Sequence, residues 1–386
     1  MALPSDFTLL QVIPELETGG AEQSTLDVAR AVVRAGGRAL VASRGGRMVQ
    51  RLEADGGELR PLPVDSKNPA VILGNARRLA RLIRREKVSL VHARSRAPAF
   101  SALWAARATH TPFIATYHGV YKARSGLKRW YNSVMTRGEL VIANSAYTRA
   151  HVLAEHGLDP AKVVAIPRGV DLARFDAATV APERIARLRD AWGIAADDPR
   201  TKIVLAGRLT RIKGHLTIVE AARRLKAQGL DVLILFVGDD QGRSAYREEL
   251  VRAIDAAGLN QALRIVGHCD DMPAAYLLAD LAILPTTVPE SFGRAAVEPQ
   301  AMGRPVIAAA HGGTMETVVD GVTGWLAPPG DADAWAAAMA KAVQAGSEGR
   351  ARIGAAAMTR ARSLYRVDAM CEATLEAYER VLEARA

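Results

Sequence analysis

The sequence of 386 residues is long enough for two domains of ordinary size, and its 49% hydrophobic and 24% charged content is that of a globular chain, not a disordered or fibrous one. No stretch approaches about 18 consecutive apolar residues, so no membrane span is expected; the two cysteines, Cys269 and Cys371, give no zinc spacing and at most one disulfide, which fits a reducing, cytoplasmic setting. Residues 1–170 carry 25 Lys or Arg against 13 Asp or Glu, whereas residues 171–386 carry 26 against 28, so an anionic partner or surface is expected at the first half.

The N-terminus has no basic leader region and reads as a buried strand, Phe7–Ile13. Further strands are expected at Arg38–Ser43, Leu90–His92, Phe113–Tyr117 and Leu140–Asn144, with helical patterns at Ala21–Ala35, Ala70–Glu86 and Ala97–Ala108 between them. The stretch IPRGVDLARF, within Leu158–Phe175, suits a crossover between domains. After a polar break at Asp197–Arg200 a second series opens. Its strands are Lys202–Ala206, Val232–Val237, Ala262–Val266, Leu281–Pro285 and Pro305–Ala309, and its helices are Lys213–Gln228, Ala245–Ala257 and Arg294–Met302. The tail, Arg360–Ala386, reads as one or two helices. Short apolar strands alternating with helices imply parallel sheets covered on both faces. Two such series predict two doubly wound α/β domains facing a cleft, at 1–170 and 171–365, with 366–386 as a closing helix that returns to the first domain.

Ligands of such sheets bind beyond the carboxyl ends of the strands, so the loops there hold the candidate residues. Gly19-Gly20 follows the first strand and opens a helix; the pair either lets the backbone approach an anion or simply closes a turn. GRLTRIKGH places Arg208 and Lys213 on one loop, two fixed cations suited to a diphosphate if they are not merely solvated. The glycine turns FVGDDQG and GHCDDM leave Gly267 and His268 able to offer main-chain atoms to a flat ring, while the paired aspartates read as turn and cap residues without a third metal ligand. In PESFGRAAVEPQ, Glu290 stands at a strand end and Glu298 in the second turn of the following helix. Carboxylates accept in pairs what vicinal sugar hydroxyls donate. The N–H groups of Ser291, Phe292 and Gly293 lie between them.

These motifs, followed by HGGTMETVVDGVTGWLAPPGD, resemble over essentially the whole chain the retaining glycosyltransferases of family 4, which have the GT-B fold. Glu290 then resembles the glutamate that contacts the donor hexose and Glu298 the one that holds the ribose. Arg208 and Lys213 resemble the pair on the donor diphosphate, Gly19-Gly20 the glycine loop that approaches it, and His118, in TYHGVY, a histidine at the reacting centre. Pro299-Gln300 and His311 depart from the usual pattern without removing a functional group. The resemblance implies a nucleotide diphosphate sugar as co-substrate, no metal or other cofactor, and a glycan or lipid-linked acceptor such as a lipopolysaccharide core. Aromatics among cations in YKARSGLKRWYNSVMTR (Lys122, Arg124, Lys128, Arg129 and Trp130) fit an anionic membrane face, and hence a peripheral enzyme at the inner face of the cytoplasmic membrane. Rival readings are a nucleotide-sugar epimerase of the same architecture and an inactive, glycosyltransferase-like scaffold. A nucleic-acid partner is not expected, because no recognised nucleic-acid-binding spacing occurs. The donor base, the sugar, the acceptor and the oligomeric state are not written in the motifs.

Overall fold

The computed structural model describes residues 4, 6–17, 19–121, 123, 125–242 and 244–385. Thirteen strands are present among them: β1 (Thr8–Val12), β2 (Arg38–Ser43), β3 (Glu58–Pro61), β4 (Leu90–Ala93), β5 (Phe113–Tyr117), β6 (Leu140–Ala143), β7 (Val163–Ala165), β8 (Thr201–Ala206), β9 (Val232–Val237), β10 (Leu263–Gly267), β11 (Leu281–Leu284), β12 (Val306–Ala309) and β13 (Gly324–Ala327). They form two all-parallel sheets, ordered β3-β2-β1-β4-β5-β6-β7 and β10-β9-β8-β11-β12-β13. The chain divides into two compact units, one of residues 1–169 with 367–386 and one of residues 170–366.

Alternation along the strands accounts for the two-faced core. In the first unit Leu9, Val41, Ile114 and Ile142 pack on one face of the sheet, and Leu10, Leu40, Val91 and Val141 on the other. The helix Val367–Glu383 covers the former face with Met370, Cys371, Tyr378 and Val381. In the second unit Ile203, Ile234, Leu281 and Ile307 face one layer of helices, and Val204, Leu235, Ala282 and Val306 the other. Burying a side chain of this size stabilises by about 1.5–3 kcal/mol relative to exposure, so each sheet is fixed from both sides.

In each sheet the strand order reverses once, between β1 and β4 and between β8 and β11. Such a reversal opens a crevice at the carboxyl ends of the two strands, because their following connections leave toward opposite faces. Three strands were not expected from the sequence: β3, β7 and β13. Each is only three or four residues long, and β3 is half-exposed and ends in Pro61, which mutes its apolar signal. The helix expected from Lys213 begins instead at His215, after a 3₁₀ turn over Arg211–Lys213 and a left-handed Gly214. Both cysteines are free thiols.

Candidate active site

In the second unit the loops after β8 and β11 are stitched together. Gly214 has φ 76°, and a Cβ there would lie 1.8 Å from the Pro285 carbonyl oxygen. Only glycine lets the turn press this closely on the end of β11. The Thr287 N–H donates to the Ile212 oxygen at 2.9 Å, completing the seam. This contact brings the Lys213 Nζ to 2.5 Å from Glu290 Oε1, with the two side chains 18% and 25% exposed. Glu290 is held from the other side by the turn His311–Gly313. The Gly313 N–H donates to the Glu290 oxygen at 2.7 Å, and a Cβ on Gly313 would lie 2.5 Å from the Ser291 oxygen. A cation and a carboxylate thus stand at the crevice, fixed by backbone and still open to solvent.

Glu298 sits on the helix Arg294–Ala301 and is braced twice. The Arg294 Nη2 donates to Oε1 at 2.8 Å, and the Tyr276 hydroxyl reaches Oε2 at 3.4 Å. Burial, with Glu298 beside it, raises the Tyr276 pKa well above the usual phenol range, so the hydroxyl remains a donor. Neither partner was singled out from the sequence, although the four-residue spacing of Arg294 and Glu298 is the helical pairing distance. Phe292 is different from its neighbours: its ring is buried, edge-on to Tyr365 at 5.3 Å, so the side chain anchors the loop.

Arg208 and Lys213 share a loop but are held differently. Arg208 is exposed and donates to Gln241 Oε1 at 3.3 Å, whereas Lys213 is committed to Glu290. His268, beyond the left-handed Gly267, is half-exposed and lies 2.9 Å from Asp270 Oδ1. Asp271 caps the helix Met272–Leu278 through the Ala274 N–H and pairs with Arg184, while Asp240 accepts from the Gly242 N–H. The aspartate pairs therefore serve turns and caps, and no group of three metal-binding side chains occurs among the described residues.

In the first unit Gly19 precedes the helix Gly20–Arg34, and the Glu22 carboxylate folds back over it; a Cβ on Gly19 would lie 2.3 Å from Glu22 Oε2. The positive end of that helix thus already faces a carboxylate. At the other lip of the crevice stands Arg94, next after β4, and it was missed in the sequence. It is 3% exposed and donates from Nε to Gln11 Oε1 at 2.7 Å and from Nη2 to the Ser24 oxygen at 3.1 Å. His92 links Thr116 and Tyr378, each at 2.7 Å from a ring nitrogen. This buried network joins β1, β4, β5, the first helix and the closing helix.

His118 follows β5. Its Nδ1 lies 2.6 Å from Arg168 Nη2. Burial, then the charges of Arg168 and Arg94 and the neighbouring His92, hold its pKa well below the ordinary histidine value. Further along, Lys122 and Arg124 lie outside the described residues. Ser125 caps the helix Gly126–Asn132, on which Leu127 and Trp130 are 77% and 53% exposed beside Lys128 and Arg129. Trp130 packs 5.4 Å from Phe100, which also touches the exposed Trp104, and Arg137 lies over the Trp130 ring. No helix among the described residues is long and apolar enough to cross a membrane.

Two all-parallel α/β units, each with loops gathered at its point of strand reversal, define the GT-B class of glycosyltransferases. The chain belongs to the glycosyltransferases in which residues 18–174 match Glycosyltransferase Family 4 and residues 187–360 match Glycosyl transferases group 1. A glycosyltransferase of Rickettsia africae is 33% identical in sequence, with 98% of this chain and 99% of that one superposed at a TM-score of 0.90. HepE of Anabaena, solved in complex with UDP-glucose, has the same fold at 24% identity, with a TM-score of 0.83 over 96% of this chain and 99% of that one. A D-inositol 3-phosphate glycosyltransferase of Mycobacterium sp. is 33% identical over 207 residues, which are 53% of this chain and 44% of that enzyme. The chain thus matches less than half the length of that relative.

Proposed function

We propose that the protein transfers a hexose, with retention of anomeric configuration, from a nucleoside diphosphate sugar to a hydroxyl of a glycan or glycolipid. The contact between Lys213 and Glu290 at the β8/β11 crevice carries this reading. A cation suited to phosphate and a carboxylate suited to sugar hydroxyls are needed within one donor molecule's length, and the stitched loops supply both. The bond between the sugar C1 and the diphosphate oxygen breaks, and the new bond to the acceptor oxygen forms on the same face. The acceptor's proton passes to the departing diphosphate. Lys213 and Arg208 offset the charge growing there, the kind of term that commonly contributes about 3 kcal/mol per donor. Glu290 orients the hexose and Glu298 the ribose, with Gly267 and His268 beside the base; Gly19-Gly20 approaches the diphosphate, and His118 orients the sugar or the acceptor. With two side-chain cations on the leaving group, transfer is expected to persist in a chelator.

For the acceptor, the exposed Trp130, Leu127 and Trp104 among Lys128 and Arg129 favour an anionic lipid surface. The reading is therefore of a peripheral enzyme at the inner face of the cytoplasmic membrane, acting on a lipid-linked acceptor in the synthesis of lipopolysaccharide core or another envelope glycolipid. UDP-sugars are the first donors to test, since HepE was solved with one.

The test is thermal unfolding with UDP, GDP and ADP and their hexose conjugates, followed by NMR of the anomeric proton of any product. A nucleotide that binds only the folded state raises the melting temperature by mass action. A stabilising nucleotide and a product of unchanged anomeric configuration are expected. An inverted product overturns retention; sugar interconversion without transfer establishes the epimerase; no response to any nucleotide at millimolar concentration means an unusual donor or no working donor site, and moves the scaffold to the front.

A further inference from the structure

We infer that Arg168 fixes His118 as a neutral ring protonated on Nε2, so that the histidine works at the reacting centre as a hydrogen-bond donor and not as a base. The inference rests on the proposed role of His118 but adds a residue and a chemical direction to it. A guanidinium has five N–H donors and no acceptor, and it does not lose its proton. Its Nη2 lies 2.6 Å from His118 Nδ1. At that distance Nδ1 must present its lone pair, and the one proton of the neutral imidazole is left on Nε2. The alternatives fail on geometry. A proton on Nδ1 would set two N–H groups head to head, and an imidazolium would add a second positive charge in contact with the first.

The surroundings act in the same direction. The groups bearing on the ring are Arg168, Arg94 and the buried His92, with Tyr121 against the His118 main chain. Arg168 is itself held in place. It is 9% exposed, Pro167 precedes it, the Ile166 N–H donates to the Ala143 oxygen at 2.8 Å, and the Gly169 N–H lies 3.4 Å from Met370 Sδ. The main chain on either side of Arg168 is therefore anchored to the sheet and to the closing helix.

The consequence is specific. Nε2 carries a proton already, so it has no lone pair with which to take one from the acceptor hydroxyl. Any oxygen of the sugar or the acceptor that meets Nε2 must accept from it. Proton removal then falls to the departing diphosphate, as the retaining reaction above requires. Arg168 touches neither reactant in this scheme; it is a positioning residue.

The experiment is long-range ¹H–¹⁵N correlation NMR on the full chain labelled at its eight histidines, with His118→Asn used to assign the His118 signals. In the wild type the Nε2–H tautomer is expected, unchanged between about pH 8 and pH 5, where an ordinary histidine titrates near 6.5. In Arg168→Met the tautomers should mix and the titration should move up by at least about one pH unit; Arg168→Lys should restore the wild-type pattern. Should Arg168→Met fail to fold, Arg168→Gln, which loses the charge and can donate or accept, should release the tautomer and raise the titration. A wild-type Nδ1–H tautomer, or an Arg168→Met or Arg168→Gln variant whose His118 titrates like the wild type, overturns the inference. With a working donor, kcat should fall about tenfold in Arg168→Met at unchanged KM, less than the roughly 10²–10⁴-fold that a proton-transferring group contributes, because Arg168 acts only through His118. The NMR result stands whether or not any sugar donor is turned over, so failure here is distinguishable from failure of the transferase reading.

Discussion

The two crevices are built by opposite means. At β8/β11 the backbone does the positioning: Gly214 and Gly313 admit approaches that a Cβ would block, and the functional side chains stand half-exposed at the rim. At β1/β4 the side chains do it, through the buried set of Gln11, His92, Arg94, Thr116 and Tyr378. A site positioned by backbone can leave its charges available to a ligand. A site positioned by buried polar groups spends those groups on one another, and what it gains is a fixed arrangement of protons.

Four measurements sharpen or break this contrast. Gly214→Ala should have the largest effect, a loss of several kcal/mol in urea unfolding, because strain at positive φ adds to a backbone collision. Gly19→Ala, whose backbone is extended and whose nearest neighbour is the mobile Glu22 carboxylate, should stay within about 1 kcal/mol. Equal effects would remove the distinction. Arg94→Ala should cost about 3 kcal/mol by the same assay, since it strips partners from the buried Gln11 and from the Ser24 carbonyl. A change below about 0.5 kcal/mol would show that the network does not hold the first unit together.

Lys213→Ala should lower kcat/KM about 10²-fold and weaken nucleoside diphosphate binding while leaving stability within about 1 kcal/mol, the mark of a rim residue. Wild-type binding of the diphosphate by the variant would remove Lys213 from the donor site. The last effect is graded with pH and vanishes at neutral pH. Burial lowers the pKa of His92 and His118 and pulls His215 down to about 4. Below about pH 6.5 the unfolded chain takes up protons that the folded chain refuses, so stability is full above that pH and declines as the pH falls toward the folded values. The share of His215 is about 3 kcal/mol by pH 4. His215→Leu should flatten the slope between pH 6.5 and 4; an unchanged slope would place the acid sensitivity elsewhere.

The same contrast explains what could be read in the sequence. The β8/β11 site was legible because a strand end, a glycine turn and a helix start are contiguous, and so Lys213, Glu290, Ser291 and Glu298 appear in short motifs. Its partner contact was not, since nothing local pairs Lys213 with a residue 77 positions later. The β1/β4 network was not legible at all. Gln11, His92 and Tyr378 stand within a strand or helix and Arg94 directly after one, where a lone polar residue carries no motif, and only the tertiary fold makes them neighbours. The strand pattern gave the parallel sheets and their order of helices but not the edge strands β3, β7 and β13; β3, ELRP, lacks the apolar run that marked the equally short β6, β11 and β12. Arg208 marks the limit from the other side: its motif was clear, but its bond to Gln241, 33 positions later, was not.

Tyr378 meets His92 across 286 residues of chain, and that separation bears on biosynthesis. A ribosome delivers every strand of the first sheet long before it delivers the helix that covers one of its faces. Until then Leu9, Val41, Ile114 and Ile142 have no cover from Val381 or Met370, and the imidazole of His92 has no phenol. The second unit, by contrast, is continuous in sequence and can close as it emerges. The first unit thus opens before the second and closes after it, and a nascent chain stalled before residue 367 would leave the part of that sheet face under Met370, Tyr378 and Val381 for chaperones to hold.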